Sequence, residues 1–197
     1  MTLFLLRGCD QARKRLAAAN DSTTPIASPT PASSEEVTLY LANDSENSLK
    51  TVTRHLALPQ EPTLCARAIL QQLMAEYAGP DSTHPLPKGP PIDDIFLLNL
   101  PIGEATQTDP DTAQLAIVNL HGAFVAAHPS NAAAEDLTLQ SIIETLHASF
   151  PQLTQISFLV DGQPHDTLAG HTSLKPAYAA IGTDSKPTPV TPASTQP

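Results

Sequence analysis

The 197-residue chain has no tryptophan, two cysteines and only eight glycines. Two cysteines, Cys9 and Cys65, cannot build the disulfide framework of a small secreted scaffold, and there is no Cys-x-x-Cys pair for a zinc knuckle. Cys65 falls within a predicted helix and reads as a small buried thiol. The glycines are unclustered, which leaves no phosphate-cradling loop. Basic residues are scarce as well: ten against twenty acidic ones, for a net charge of -10. Arg7, Arg13, Lys14 and Arg15 lie within the first sixteen positions, so from residue 17 onward six basic side chains face nineteen acidic ones. Such a surface repels phosphate backbones and argues against nucleic acid as a partner.

No run of about twenty apolar residues, the length that spans a bilayer, occurs in the sequence. Leu3-Phe4-Leu5-Leu6 does end abruptly at the basic cluster, as the last turn of a spanning helix would. Residues 1–16 are therefore expected to be a truncated membrane anchor or signal remnant. Cys9 follows Leu5-Leu6-Arg7-Gly8, similar to the Leu-x-Gly-Cys site of bacterial lipoproteins. Arg7 and the shortness of the apolar stretch depart from that pattern.

Proline is abundant, at twenty residues, mostly in the two tails and the connections. Residues 17–35 are small, polar and Pro-interrupted, the composition of a disordered linker. Residues 176–197, rich in Pro, Thr and Ser, read as a disordered tail. What remains, 36–175, suffices for a single core.

Within it, Val37, Leu39 and Leu41 alternate with polar residues as in a strand. Val52, Arg54, Leu56 and Leu58 repeat the pattern, with Arg54 on the apolar side or at an edge. Pro62 is placed to open a helix whose stripe is Ala66, Ile69, Leu70, Leu73, Met74 and Tyr77, with Gly79 as a left-handed cap and Pro80 as a stop. Ile95–Leu98 and Leu115–Leu120 read as strands joined by a long exposed loop, and Phe124 is expected to pack back on the sheet. Leu139, Ile142, Ile143, Leu146 and Phe150 form a second helical stripe, which Pro151 ends. Ile156–Val160 is a strand closed by the turn pair Asp161-Gly162. The order is β-β-α-β-β-α-β: an α/β chain of the α+β type, one domain, with a mixed sheet of about five strands and two helices on one face.

Catalytic chemistry is hard to find. No G-x-S-x-G elbow and no HExxH pair occurs. Asp93 and Asp94 read as a solvated strand start, and His121 and His128 as solvent-edge residues flanking Phe124. The nearest metal candidate is His165, Asp166 and His171, better explained as a surface loop. No catalytic residue, cofactor or metal is assigned, which favours a binding module.

Several motifs in order resemble the GerMN domain of sporulation and germination proteins and of envelope lipoproteins. In the second half these are Thr145-Leu146, Phe150-Pro151, Val160-Asp161-Gly162, Leu168, Gly170-His171 and Ser173-Leu174. In the first half they are Leu39-Tyr40-Leu41, Arg54, Leu73, Gly79-Pro80 and Leu86-Pro87-Lys88-Gly89. Where the family has Val-Asp-Leu-Ser, this chain has Val118-Asn119-Leu120-His121. The resemblance implies a non-enzymatic module of the cell envelope, lying outside the membrane, that recognises an envelope protein or a second copy of itself. The positive-inside rule, applied to Arg13, Lys14 and Arg15, gives the opposite side. A surface formed by Asn119, His121, Asp161, Gly162, Gly170 and His171 is the candidate for interaction or ligand binding. The alternatives are a small-ligand or cell-wall-glycan binder near Asn119, His121 and the Asp161 turn, and a metal-dependent hydrolase around His165 and His171.

Overall fold

Alternating side chains form an antiparallel hairpin from Ser34–Asn43 (β1) and Ser48–Ala57 (β2) in the computed structural model, which describes residues 34–100, 113–180 and 189–190. Asn43 turns the chain: its side-chain oxygen accepts hydrogen bonds from the Ser45 and Glu46 backbone N–H groups and from the Ser45 hydroxyl. On β2, Arg54 alternates in step with the partly buried Val52 and Leu56 and reaches the Glu76 carboxylate through two hydrogen bonds of 2.8 and 3.0 Å. A basic residue stands among apolar ones because a paired fork can be half-buried at modest cost.

Pro62–Tyr77 (α1) begins with Pro62 in its first turn and the Glu61 carboxylate capping the N–H groups of Thr63 and Leu64. Its buried stripe is the expected one. Its end is not: the last turn closes through the Ala78 N–H onto the Ala75 carbonyl, and Gly79 is not left-handed. Pro80 alone is enough to prevent continuation.

A five-stranded sheet follows in the order Ile92–Asn99 (β3), Gln114–Leu120 (β4), Leu153–Val160 (β5), Ala177–Ala179 (β6) and Pro189–Val190 (β7). Only β4 and β5 run parallel. Their crossover carries two helices, Gly122–Ala127 (α2) and Ala132–Ser149 (α3). The rows Ile95/Val118/Phe158 and Ile92/Leu120/Val160 run across the strands and are buried. α1 packs on β3, α3 packs on β1 and β5, and the two helices touch each other over one shared core. The opposite face holds the half-exposed Phe96 and Leu98.

The α+β architecture is as expected, with three differences. The hairpin β1–β2 is a separate sheet, because helix side chains occupy the free edge of β1. Thr145 Oγ1 accepts the Tyr40 N–H, Ser141 Oγ donates to the Tyr40 carbonyl, and Tyr77 Oη accepts the Ala42 N–H. With these groups satisfied, no strand can pair there. Second, Phe124 and Val125 are buried from the short helix α2, which is too brief to show a period. Third, the fold does not stop at residue 175. Ala177–Ala179 pairs with β5 and places Tyr178 on the core beside Phe158. The expected anchor at 1–16, nearly all of the linker, the β3–β4 loop tip and most of the tail lie outside the described residues. No described helix is long and apolar enough to cross a membrane.

Candidate functional site

The C-terminal ends of the parallel strands β4 and β5 lie side by side, and the antiparallel β3 brings its N-terminal end to the same edge. This is where open sheets with a parallel pair present ligand groups. Leu120 pairs with Val160, so the next residues, His121 and Asp161, emerge together. Asp161 and Gly162 both have positive φ, +49° and +75°. These are the two left-handed positions of a tight turn, which is why the pair reads Asp-Gly. The turn is tied down by the Asp161 N–H bonding to the Leu120 carbonyl and by the Gly162 N–H bonding to Asn119 Oδ1 at 2.7 Å.

Asn119, His121, Asp161 and Gly162 therefore line one open hollow of about 690 Å³, together with Arg67, Asp93 and Asp94. His121 Nδ1 lies 3.0 Å from Asp93 Oδ1 and 3.9 Å from Asp161 Oδ1. Asp161 Oδ1 also accepts the Gly122 N–H at 2.8 Å. A Cβ at Gly122 would stand 2.1 Å from Asp161 Oδ2, so a larger residue there fits only if the exposed carboxylate moves and gives up its hydrogen bond. Arg67 approaches Asp94 at 3.5 Å, an exposed and weak pair.

Gly170 and His171 are elsewhere. Gly170 lines a neighbouring hollow that shares Asp161 and contains His128 and His165. His171 is bound to Glu135, a side chain with no exposed surface, whose carboxylate accepts the N–H groups of Ala169, His171 and Thr172 at 2.8–3.0 Å and faces His171 Nδ1 at 2.8 Å. Burial alone would raise the Glu135 carboxyl, but the hydrogen bonds from Thr172, Ala169 and His171 outweigh it and hold the carboxyl below its ordinary range. The Gly-His segment is thus a loop clamp.

The trio His165, Asp166 and His171 does not converge: His165 Nδ1 goes to the Thr167 carbonyl, Asp166 to Lys175 and His171 to Glu135. His128 is not at the solvent edge. It is buried against Phe124, with Nε2 on Thr138 Oγ1, which His84 Nε2 also approaches. Asp93 was unreadable as a site residue because a β-bulge between Ile92 and Asp94 takes it out of register and turns it toward His121. The pair Asp93-Asp94 was the only signal.

A family model described as sporulation and spore germination, named Germane, matches residues 38–166. No curated protein matches the chain. Two solved structures are similar. One is a candidate lipoprotein from Clostridium perfringens, 22% identical, with 78% of this chain and 93% of that one covered and a TM-score of 0.38. The other is the first GerMN domain of the sporulation protein GerM from Bacillus subtilis, 18% identical, with 71% and 92% covered and a TM-score of 0.37. The family match spans well over half the sequence and includes both helical stripes and the Val160-Asp161-Gly162 turn, so the chain belongs to the Germane family of sporulation and spore germination domains, which is not a known enzyme family.

Proposed function

We propose that this chain is a non-enzymatic assembly module of the bacterial cell envelope that docks a protein partner, or a second copy of itself, on the outer face and free edge of its larger sheet. One observation carries the reading. Phe96 and Leu98 are 49% and 47% exposed on β3, the terminal strand, which among the described residues pairs only with β4. Across the register they stand opposite Ile117 and Leu115, both only partly buried, so the apolar patch extends inward. An edge strand with exposed large apolar side chains is a surface suited to strand addition. The family's place in sporulation and germination supports the envelope.

The test is association of the full chain. Cross-linkers placed at Phe96 and Leu98 in living cells should trap a defined partner or a dimer, and the double substitution Phe96→Glu, Leu98→Glu should abolish the product without unfolding the domain. Cross-links that arise only from helix α1 or α3 would overturn the reading. A second reading, binding of a small ligand or wall glycan, is favoured by the polar hollow around Asn119, His121 and Asp161. NMR signals of those residues that move on titration with wall fragments would support it.

A further inference from the structure

We propose that Asp93, His121 and Asp161 form a binding site for a divalent transition-metal ion at the end of the β3–β4–β5 sheet. One donor atom from each of the three residues lies within 4.8 Å of the other two. Donors held by a single small cation at about 2.1 Å stand roughly 3 to 3.5 Å apart. The His121–Asp93 separation of 3.0 Å already meets that spacing, and the 3.9 Å to Asp161 needs a shift of about half an ångström. One imidazole nitrogen and two carboxylate oxygens suit zinc or manganese better than magnesium, which prefers an all-oxygen shell.

The three ligands come from three adjacent strands and are placed by separate devices. The bulge turns Asp93 inward, the end of β4 presents His121, and the left-handed turn with its Gly122 hydrogen bond aims Asp161. Among the described residues, neither Asp93 nor Asp161 pairs with Lys or Arg, so the site holds negative charge that a cation would balance. The hollow is open to solvent, which leaves the remaining coordination positions to water or to a donor from a partner. This inference is independent of the docking reading: a chain that binds zinc and never associates keeps the one and loses the other.

The experiment uses the full chain, stripped with chelator and titrated calorimetrically with zinc chloride, with magnesium chloride as a parallel arm. One saturable zinc per chain is expected, accompanied by a higher thermal midpoint and by a shift of the His121 imidazole signals. His121→Gln and Asp93→Asn should each weaken binding at least about tenfold, since loss of a ligand exceeds the tenfold to hundredfold cost of losing a mere supporting group. The double substitution His165→Gln, His171→Gln should leave the affinity unchanged. Should His121→Gln fail to fold, Asp161→Asn is read in its place, because an amide oxygen still accepts the Gly122 N–H. Absence of saturable zinc binding, binding indifferent to these substitutions, equal affinity for magnesium, or loss in the His165/His171 variant would each overturn the site.

Discussion

Tyr77 Oη lies 2.5 Å from Ser141 Oγ, joining helices α1 and α3 across 64 positions of sequence. The contact is one link of a chain: the Ala42 N–H donates to Tyr77 Oη, Tyr77 donates to Ser141, and Ser141 donates to the Tyr40 carbonyl. Both side chains are buried, so neither can exchange its partner for water.

Removing either partner should be costly for that reason. Ser141→Ala leaves the Tyr77 hydroxyl and the Tyr40 carbonyl short of a partner, and a loss of about 1–3 kcal/mol in urea unfolding is expected. Tyr77→Phe should cost a comparable amount by stranding the Ala42 N–H. Burial pushes the Tyr77 phenol up to about 12. A phenol raised in the folded state stabilises it fully below the ordinary value of 10, and that stabilisation is lost as pH climbs toward 12. Ultraviolet titration should find Tyr77 ionising at that high value, and Tyr77→Phe should flatten the alkaline decline in stability.

Acid should destabilise the domain in two stages. Burial, the leading cause, lowers the His128 imidazole, so its contribution is present above the ordinary value of 6.5 and declines below it. Glu135 is held below its ordinary 4.5, and its contribution is lost as pH falls further through its folded value. Glu135→Gln keeps the size of the side chain and removes the charge that receives three backbone N–H groups. Faster hydrogen exchange at Ala169, His171 and Thr172, together with a flatter stability profile below pH 4.5, is the expected outcome.

Ile142 on α3 is fully buried, whereas Leu64 on α1 is 51% exposed. Ile142→Ala should therefore cost about 2–5 kcal/mol. Leu64→Ala should stay within about 0.5 kcal/mol. Chemical denaturation of the pair measures directly how much α3 contributes to the core.

Gly122→Ala tests the packing at the sheet end. Its Cβ would meet the Asp161 carboxylate at 2.1 Å, but that carboxylate is the exposed end of a side chain and can swing aside. A small change in thermal midpoint is expected, together with loss of the hydrogen bond from the position-122 N–H to Asp161, visible as faster hydrogen exchange of that backbone amide.

Local patterns in the sequence announce the elements. Pro62 and the stripe from Ala66 to Tyr77 mark α1, the series from Leu139 to Leu146 marks α3, and Asp161-Gly162 marks the end of β5. Each rests on neighbours a few positions apart, so the sequence carries it openly. Helix α2 leaves no such signal because six residues are fewer than two turns, and β6 leaves none because Ala177–Ala179 is only three residues, directly after Pro176. Gly79 misled because a glycine after a helix permits a left-handed cap without requiring one.

The sequence by itself determined the α+β order, the two buried stripes, the family and the absence of any known catalytic motif, because these depend on local periodicity and on residue type. Tertiary structure alone decided that β1 is edged by Thr145, Ser141 and Tyr77, that Glu135 clamps the Gly170-His171 loop, and that Asp93, His121 and Asp161 meet. Those relationships depend on the register between strands and on one bulge, and a displacement of a single residue would point the same side chains to the other face.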